Sequence, residues 1–208
     1  MNKHALLPTL LMSLSLLSGC APLVVGGAVV GGALVATDRR TAGTQLEDQG
    51  IGLKAAARLR EAFGDRTHIN VQAYNRAVLL TGEVRNEADK VEAERIVLGV
   101  ENLTRVHNEL QVGFLSSLSS RANDVVLAGK IKATLIDNKA LQTNAFTVVV
   151  ERNEVYLLGR VTEREAHLAT ELIRGIPKVE KVVRLFDLIS EEELARQRPK
   201  TPPAEQTR

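Results

Sequence analysis

Cys20 is the single cysteine of the chain, so its thiol has no intramolecular disulfide partner and stands as a free nucleophile. Exported to an oxidising compartment, a free thiol is a hazard unless some reaction consumes it. The other reactive side chains offer less. Of His4, His68, His107 and His167, the first lies in the leader and the others fall on different elements, without the clustered spacing that metal ligands need. Ser116, Ser117, Ser119 and Ser120 sit together, with no His/Asp framework or strained nucleophile elbow around them. The glycine pairs at 26–27 and 31–32 lack the preceding strand and the following lysine of a phosphate loop. Glu191, Glu192 and Glu193 read as a solvated end rather than an acid/base pair. These residues give no ground for an enzyme, and neither a metal nor a cofactor is expected.

The leader accounts for the thiol. Lys3 supplies a short positive region, Leu6 to Leu17 is an almost uninterrupted apolar run, and small residues follow. That is the layout of a secretory signal, since about a dozen apolar residues cannot cross roughly 30 Å of hydrocarbon as a helix. Residues 1–19 are therefore expected to be a signal peptide. Leu17-Ser18-Gly19-Cys20 resembles the bacterial lipobox, in which the thiol takes diacylglycerol, the signal is cut before the cysteine and the new amine is acylated. Ala21 stands where an aspartate would resemble an inner-membrane retention signal. By that resemblance the mature protein is expected at the outer membrane, lipid-anchored at Cys20 and facing the periplasm. At about 0.8 kcal/mol per buried CH₂, two or three acyl chains hold a protein there essentially permanently.

Removing residues 1–19 leaves 189 of the 208, enough for one or two small domains. The 27 basic residues fall to 26 with Lys3, against 25 acidic ones, and this near-neutrality argues against a nucleic-acid partner. With no tryptophan and only six Phe or Tyr, the core must be aliphatic. Leu23 to Ala36 is apolar and glycine-rich but again too short to span as a helix. Residues 20–45 are expected to form the acylated cysteine and a tether lying against its membrane. Residues 191–208, with the run Glu191-Glu192-Glu193, three prolines and no aromatic residue, are expected to be a disordered tail.

Between these ends the chain repeats itself. His68–Tyr74 alternates as a strand, Asn75-Arg76 turns, and Ala77–Gly82 returns; Phe146–Glu151, Arg152-Asn153 and Glu154–Gly159 do the same. Val71, Val78, Leu80, Gly82 and Val84 match Val148, Val155, Leu157, Gly159 and Val161 at an offset of 77 residues. A helix follows each hairpin, the second opened by the capping box Thr162-Glu163-Arg164-Glu165. Gly99 and Gly175 end these helices ahead of a last strand. A further helix leads each copy, with Ile51, Ala55 and Leu59, then Leu127, Ile131 and Leu135, on one face by i, i+4 spacing. The expected fold is α+β: two tandem αββαβ units, each a three-stranded mixed sheet covered on one face by two helices.

The duplicated unit, with hairpins ending Leu79-Leu80-Thr81-Gly82 and Leu157-Leu158-Gly159, the capped helix and the Gly-Val/Ile turns, resembles the BON domain. Ala36–Arg40, Gly43-Thr44-Gln45, Asn108-Glu109-Leu110 and Leu158–Ala166 carry the likeness further, to dual-BON outer-membrane lipoproteins. The first BON domain is expected over residues 46–113, a linker over 114–122 and the second over 123–190. The resemblance implies a protein that binds anionic phospholipid, maintains envelope integrity, is similar to a cell-division-site protein and supports the outer-membrane protein assembly machinery. It also implies that the first helix of the second domain meets the lipid.

On a projection of Asn123–Asp137, Val125, Gly129, Lys132 and Ile136 form a stripe away from the core face, beside Val126 and Lys130. Apolar groups next to lysines are what an interfacial helix needs. Where the family can place a tryptophan, this chain has Val126, which lacks an amphipathic ring for the headgroups. Binding is then expected to lean on Lys130, Lys132 and the anchor. Two alternatives stand beside this: that Val125, Val126 and Ile136 pack against the first domain or the linker, and that the protein is an interaction scaffold for envelope assembly or division machinery.

Overall fold

The computed structural model describes residues 38–197. The expected signal peptide, Cys20 and most of the tether lie outside the described residues, as does the chain beyond residue 197.

The first unit runs α1 (Ala42–Phe63), β1 (His68–Tyr74), β2 (Ala77–Val84), α2 (Glu87–Leu98), β3 (Arg105–Asn108) and β4 (Gln111–Val112). The second runs α3 (Leu118–Asp137), β5 (Phe146–Glu151), β6 (Glu154–Val161), α4 (Glu163–Arg174) and β7 (Lys181–Leu188). Each hairpin is antiparallel, and the last strand joins the sheet parallel to the strand before it. In the first unit that last strand is broken at Glu109-Leu110, so β3 and β4 both pair with β2. Both units are thus αββαβ. The leading helices begin earlier than hydrophobic spacing alone indicates: the Thr41 and Ser117 hydroxyls accept from the Thr44 and Ser120 amides and cap α1 and α3. The capping box at Thr162 forms, with both reciprocal bonds in place.

Both turn residues of each hairpin have positive φ, Asn75 and Arg76 in one and Arg152 and Asn153 in the other, as a type I′ turn requires. Arginine is an uncommon residue there, and a buried carboxylate secures each turn. Asp48 on α1 accepts from the Asn75 and Arg76 amides, and Asp124 on α3 accepts from those of Arg152 and Asn153, all at 2.7–3.0 Å. The motif glycines have a steric cause. A Cβ on Gly82 would stand 2.0 Å from the His68 carbonyl oxygen, and one on Gly159 would stand 2.3 Å from that of Ala145.

Each unit packs its helices on one sheet face, around Ile51, Ala55, Leu59, Val78 and Leu80 in the first and Leu127, Ile131, Leu135, Val155 and Leu157 in the second. The opposite faces are not left to water. Tyr74 and Leu79 of the first sheet bury against Tyr156 and Leu158 of the second. Strand β2 reads Val78-Leu79-Leu80 without alternation because both of its faces are covered.

Three expected bounds are corrected. Residues 42–45, expected in the tether, and 118–122, expected in the linker, are the hydroxyl-capped first turns of α1 and α3. Residues 191–197, assigned to a disordered tail, form helix α5 (Glu191–Gln197). Leu194 is buried, and Glu193 sits 2.6 Å from the Arg160 guanidinium of β6. The glutamates that mark a solvated stretch in sequence are here the negatively charged first turn of a helix, favourable at its N-terminus.

Candidate functional site

Helix α3 presents two faces. Leu127, Ile131 and Leu135 turn inward and are at most 3% exposed, while Val125, Val126 and Ile136 are 73%, 59% and 65% exposed. The stripe does not pack against the first domain. Gly129 lies on the same outward face with open space around it. Leu118 opens the helix on that face, 83% exposed, and Phe114 stands in the segment before it. Lys130 and Lys132 flank the stripe on opposite sides, both exposed, and neither ammonium is ion-paired with a described residue.

The first domain offers a comparison built into the same chain. Asp48 and Asp124, Ile51 and Leu127, and Leu59 and Leu135 correspond at a spacing of 76 residues, which places Gln49, Gly50 and Arg60 opposite Val125, Val126 and Ile136. On that register the lysine matching Lys130 is Lys54, and its ammonium is 2.7 Å from Glu101. Ala56 stands at the place of Lys132. Helix α1 exposes Leu46 and Leu53, but without the valine–isoleucine stripe or two unpaired lysines. An apolar band between free cations is thus a property of α3 and not of the repeat.

Polar contacts hold the domains in place, and sequence pattern did not locate them. Arg39 reaches from the start of the described chain to the second domain, where its guanidinium meets Glu165 of the α4 capping box at 2.7 and 2.8 Å. It also donates to the Arg160 carbonyl at 2.8 Å. Burial pushes the Glu165 carboxyl upward, but the Arg39 bonds and the Thr162 amide more than reverse this, leaving it below the ordinary carboxylate range. Arg40 lies over the Tyr74 ring at 4.1 Å and pairs with Asp48 at 2.8 Å.

The three histidines among the described residues do not share a site with one another. His167 is exposed on α4, and His107 is half-buried on β3, its pKa lowered by burial and by neighbouring Arg105. His68 meets two acids instead. Its Nδ1 is 3.1 Å from Glu83 and 3.8 Å from Glu151 of the second domain. Glu83 also accepts from the amide and hydroxyl of Ser116, and Glu151 from Asn70 at 2.7 Å. Burial pushes the Glu151 carboxyl above its ordinary range, against the Asn70 bond and the imidazole.

Fold and surface together define a duplicated αββαβ protein with an apolar, lysine-flanked helix face on its second unit. The BON domain matches residues 53–113 and 123–189, more than half of the chain, and the chain belongs to the BON domain family. It is similar to the outer membrane lipoprotein DolP of Haemophilus influenzae, 34% identical over 172 residues that cover 82% of this chain and 89% of that protein. It is also similar to a 21 kDa hemolysin of Actinobacillus pleuropneumoniae, 29% identical over 73% of this chain and 79% of the other. The osmotically-inducible protein Y of Escherichia coli is 26% identical over 67% and 72% of the two chains.

Proposed function

We propose that this protein is an outer-membrane lipoprotein, acylated at Cys20 and facing the periplasm, that binds anionic phospholipid through α3 and thereby supports envelope integrity. The observation that carries this is the outward face of α3, where Val125, Val126 and Ile136 lie exposed between Lys130 and Lys132. Exposed aliphatic side chains gain by entering the acyl boundary, at roughly 25 cal/mol per Å² removed from water. Two free ammonium groups each add about 1 kcal/mol near an anionic surface. Among the described residues no helix is long and apolar enough to cross a membrane, so α3 would lie in the interface rather than span it. The lipobox-like Leu17–Cys20 and the lipoprotein relative support the anchor. The anchor fixes the protein at the membrane, and α3 selects the surface.

The test is co-sedimentation of the fragment 38–208 with vesicles. The fragment omits Cys20, so that acylation cannot do the binding, and keeps Arg39, whose loss would disturb the second domain. Binding to anionic vesicles in preference to zwitterionic ones, weakening as salt screens charges beyond about 8 Å at 0.15 M, is the expected result. Equal binding to both vesicles, or to neither, contradicts the proposal and leaves a protein partner for the α3 face.

A further inference from the structure

The contact between His68, Glu83 and Glu151 has a chemistry that membrane binding does not use. His68 and Glu83 are directly opposed in the β1–β2 register, so a hydrogen-bonded sheet fixes that pair. Glu151 arrives from the other domain at the end of β5. One nitrogen and two carboxylate oxygens from these residues all lie within 4.8 Å of one another. Glu83 is fully buried and Glu151 is 4% exposed, while His68 keeps an edge open to solvent.

Two buried carboxylates need cationic compensation, because each ion taken out of water costs several kcal/mol. The permanent charge in contact is one guanidinium, Arg152, 3.4 Å from Glu83 and itself partly exposed. Asp124 adds a third acid that acts on Glu151 through space. The second oxygen of Glu151 takes the Asn70 amide, which leaves its first oxygen facing the imidazole at 3.8 Å. A tetrahedral zinc ion with bonds of about 2.0–2.2 Å sets neighbouring ligand atoms about 3.4 Å apart. The separations of 3.1 and 3.8 Å lie on either side of that edge.

We infer that His68, Glu83 and Glu151 form a binding site for a zinc-type divalent cation that joins the two BON domains. An imidazole with two carboxylates suits zinc better than the all-oxygen shells that calcium and magnesium prefer. Two ligands come from the first domain and one from the second, so the ion acts as a cross-domain staple. The fourth position is left to water.

The experiment uses the acylated full chain, untagged, in detergent and stripped with chelator, beside His68→Ala and Glu151→Gln versions. Zinc is titrated calorimetrically, and thermal unfolding is followed with and without it. The wild-type chain is expected to bind one zinc that each variant binds at least about a hundredfold more weakly, since even outer-shell partners are worth 10–100-fold. Zinc should raise the wild-type unfolding temperature and leave the variants unmoved. Equal affinity in all three proteins, or no binding by the wild type, overturns the inference. Should a variant fail to fold by circular dichroism, X-ray absorption of the wild-type zinc complex decides. A nitrogen/oxygen shell with one imidazole supports the site, and a shell of oxygen alone refutes it.

Discussion

Arg39→Ala removes one side chain at the edge of the described chain, yet it should destabilise the whole second domain. The Arg39 and Glu165 side chains are 4% and 3% exposed, and the guanidinium grips the carboxylate through two bonds of 2.7 and 2.8 Å. After truncation the carboxylate keeps only the Thr162 amide at 3.0 Å. Breaking one side of a buried pair costs about 3–5 kcal/mol, because the partner stays buried and uncompensated. Against a usual total of about 5–15 kcal/mol, that is a large fraction. With a urea dependence near 2 kcal/mol per molar, the midpoint of fragment 38–208 should fall by about 1.5–2.5 M. The double variant Arg39→Met/Glu165→Gln should recover about 1–3 kcal/mol relative to the sum of the single changes. A loss below about 1 kcal/mol for Arg39→Ala, or strictly additive single variants, would falsify this account of the clamp.

The same pair sets a pH dependence. Glu165 is held below the ordinary carboxylate range in the folded protein, so its stabilisation is complete above that range and is lost as pH falls through the lowered value. Acid titration of unfolding should show this loss in the wild type and not in Glu165→Gln. Lys130→Glu/Lys132→Glu removes about 1 kcal/mol of attraction per residue and adds a similar repulsion. About 4 kcal/mol in all should weaken anionic-vesicle binding by about a thousandfold in a co-sedimentation series. Gly82→Ala and Gly159→Ala should each cost about 2–3 kcal/mol in denaturant unfolding, because the new methyl meets a strand carbonyl and Gly82 also has φ +108. Gly129→Ala has open space and should instead stabilise α3 by about 1 kcal/mol.

What could be read from sequence was local. The hairpins, the Thr162 capping box, the core faces of both leading helices and the αββαβ order are written in alternation, turn residues and i, i+4 spacing, and the structure has them. So is the outward stripe of α3, because a helix that commits Leu127, Ile131 and Leu135 to one face must aim Val125 and Ile136 elsewhere. Whether that other face stayed open could not be read, since it depends on where the first domain sits. The contacts that place the domains join residues far apart in the chain: Arg39 with Glu165, His68 with Glu151, and Asn70 with Glu151. No periodicity marks such pairs. One signal was available for sheet-on-sheet packing, the unbroken run Val78-Leu79-Leu80, which alternation for a single buried face does not explain. The burial of Leu194 has no sequence signal, because the acidic and proline-rich composition around it outweighs one apolar residue.

The chain contains no tryptophan, so Val126→Trp introduces a single reporter at the middle of the proposed membrane face. Adding anionic vesicles to fragment 38–208 carrying this change should shift its emission to the blue, and lipids brominated on the acyl chain should quench it. Leu53→Trp, on the outer face of α1, should stay in water and show neither effect. Blue shift and quenching at Leu53→Trp but not at Val126→Trp would contradict membrane binding through α3.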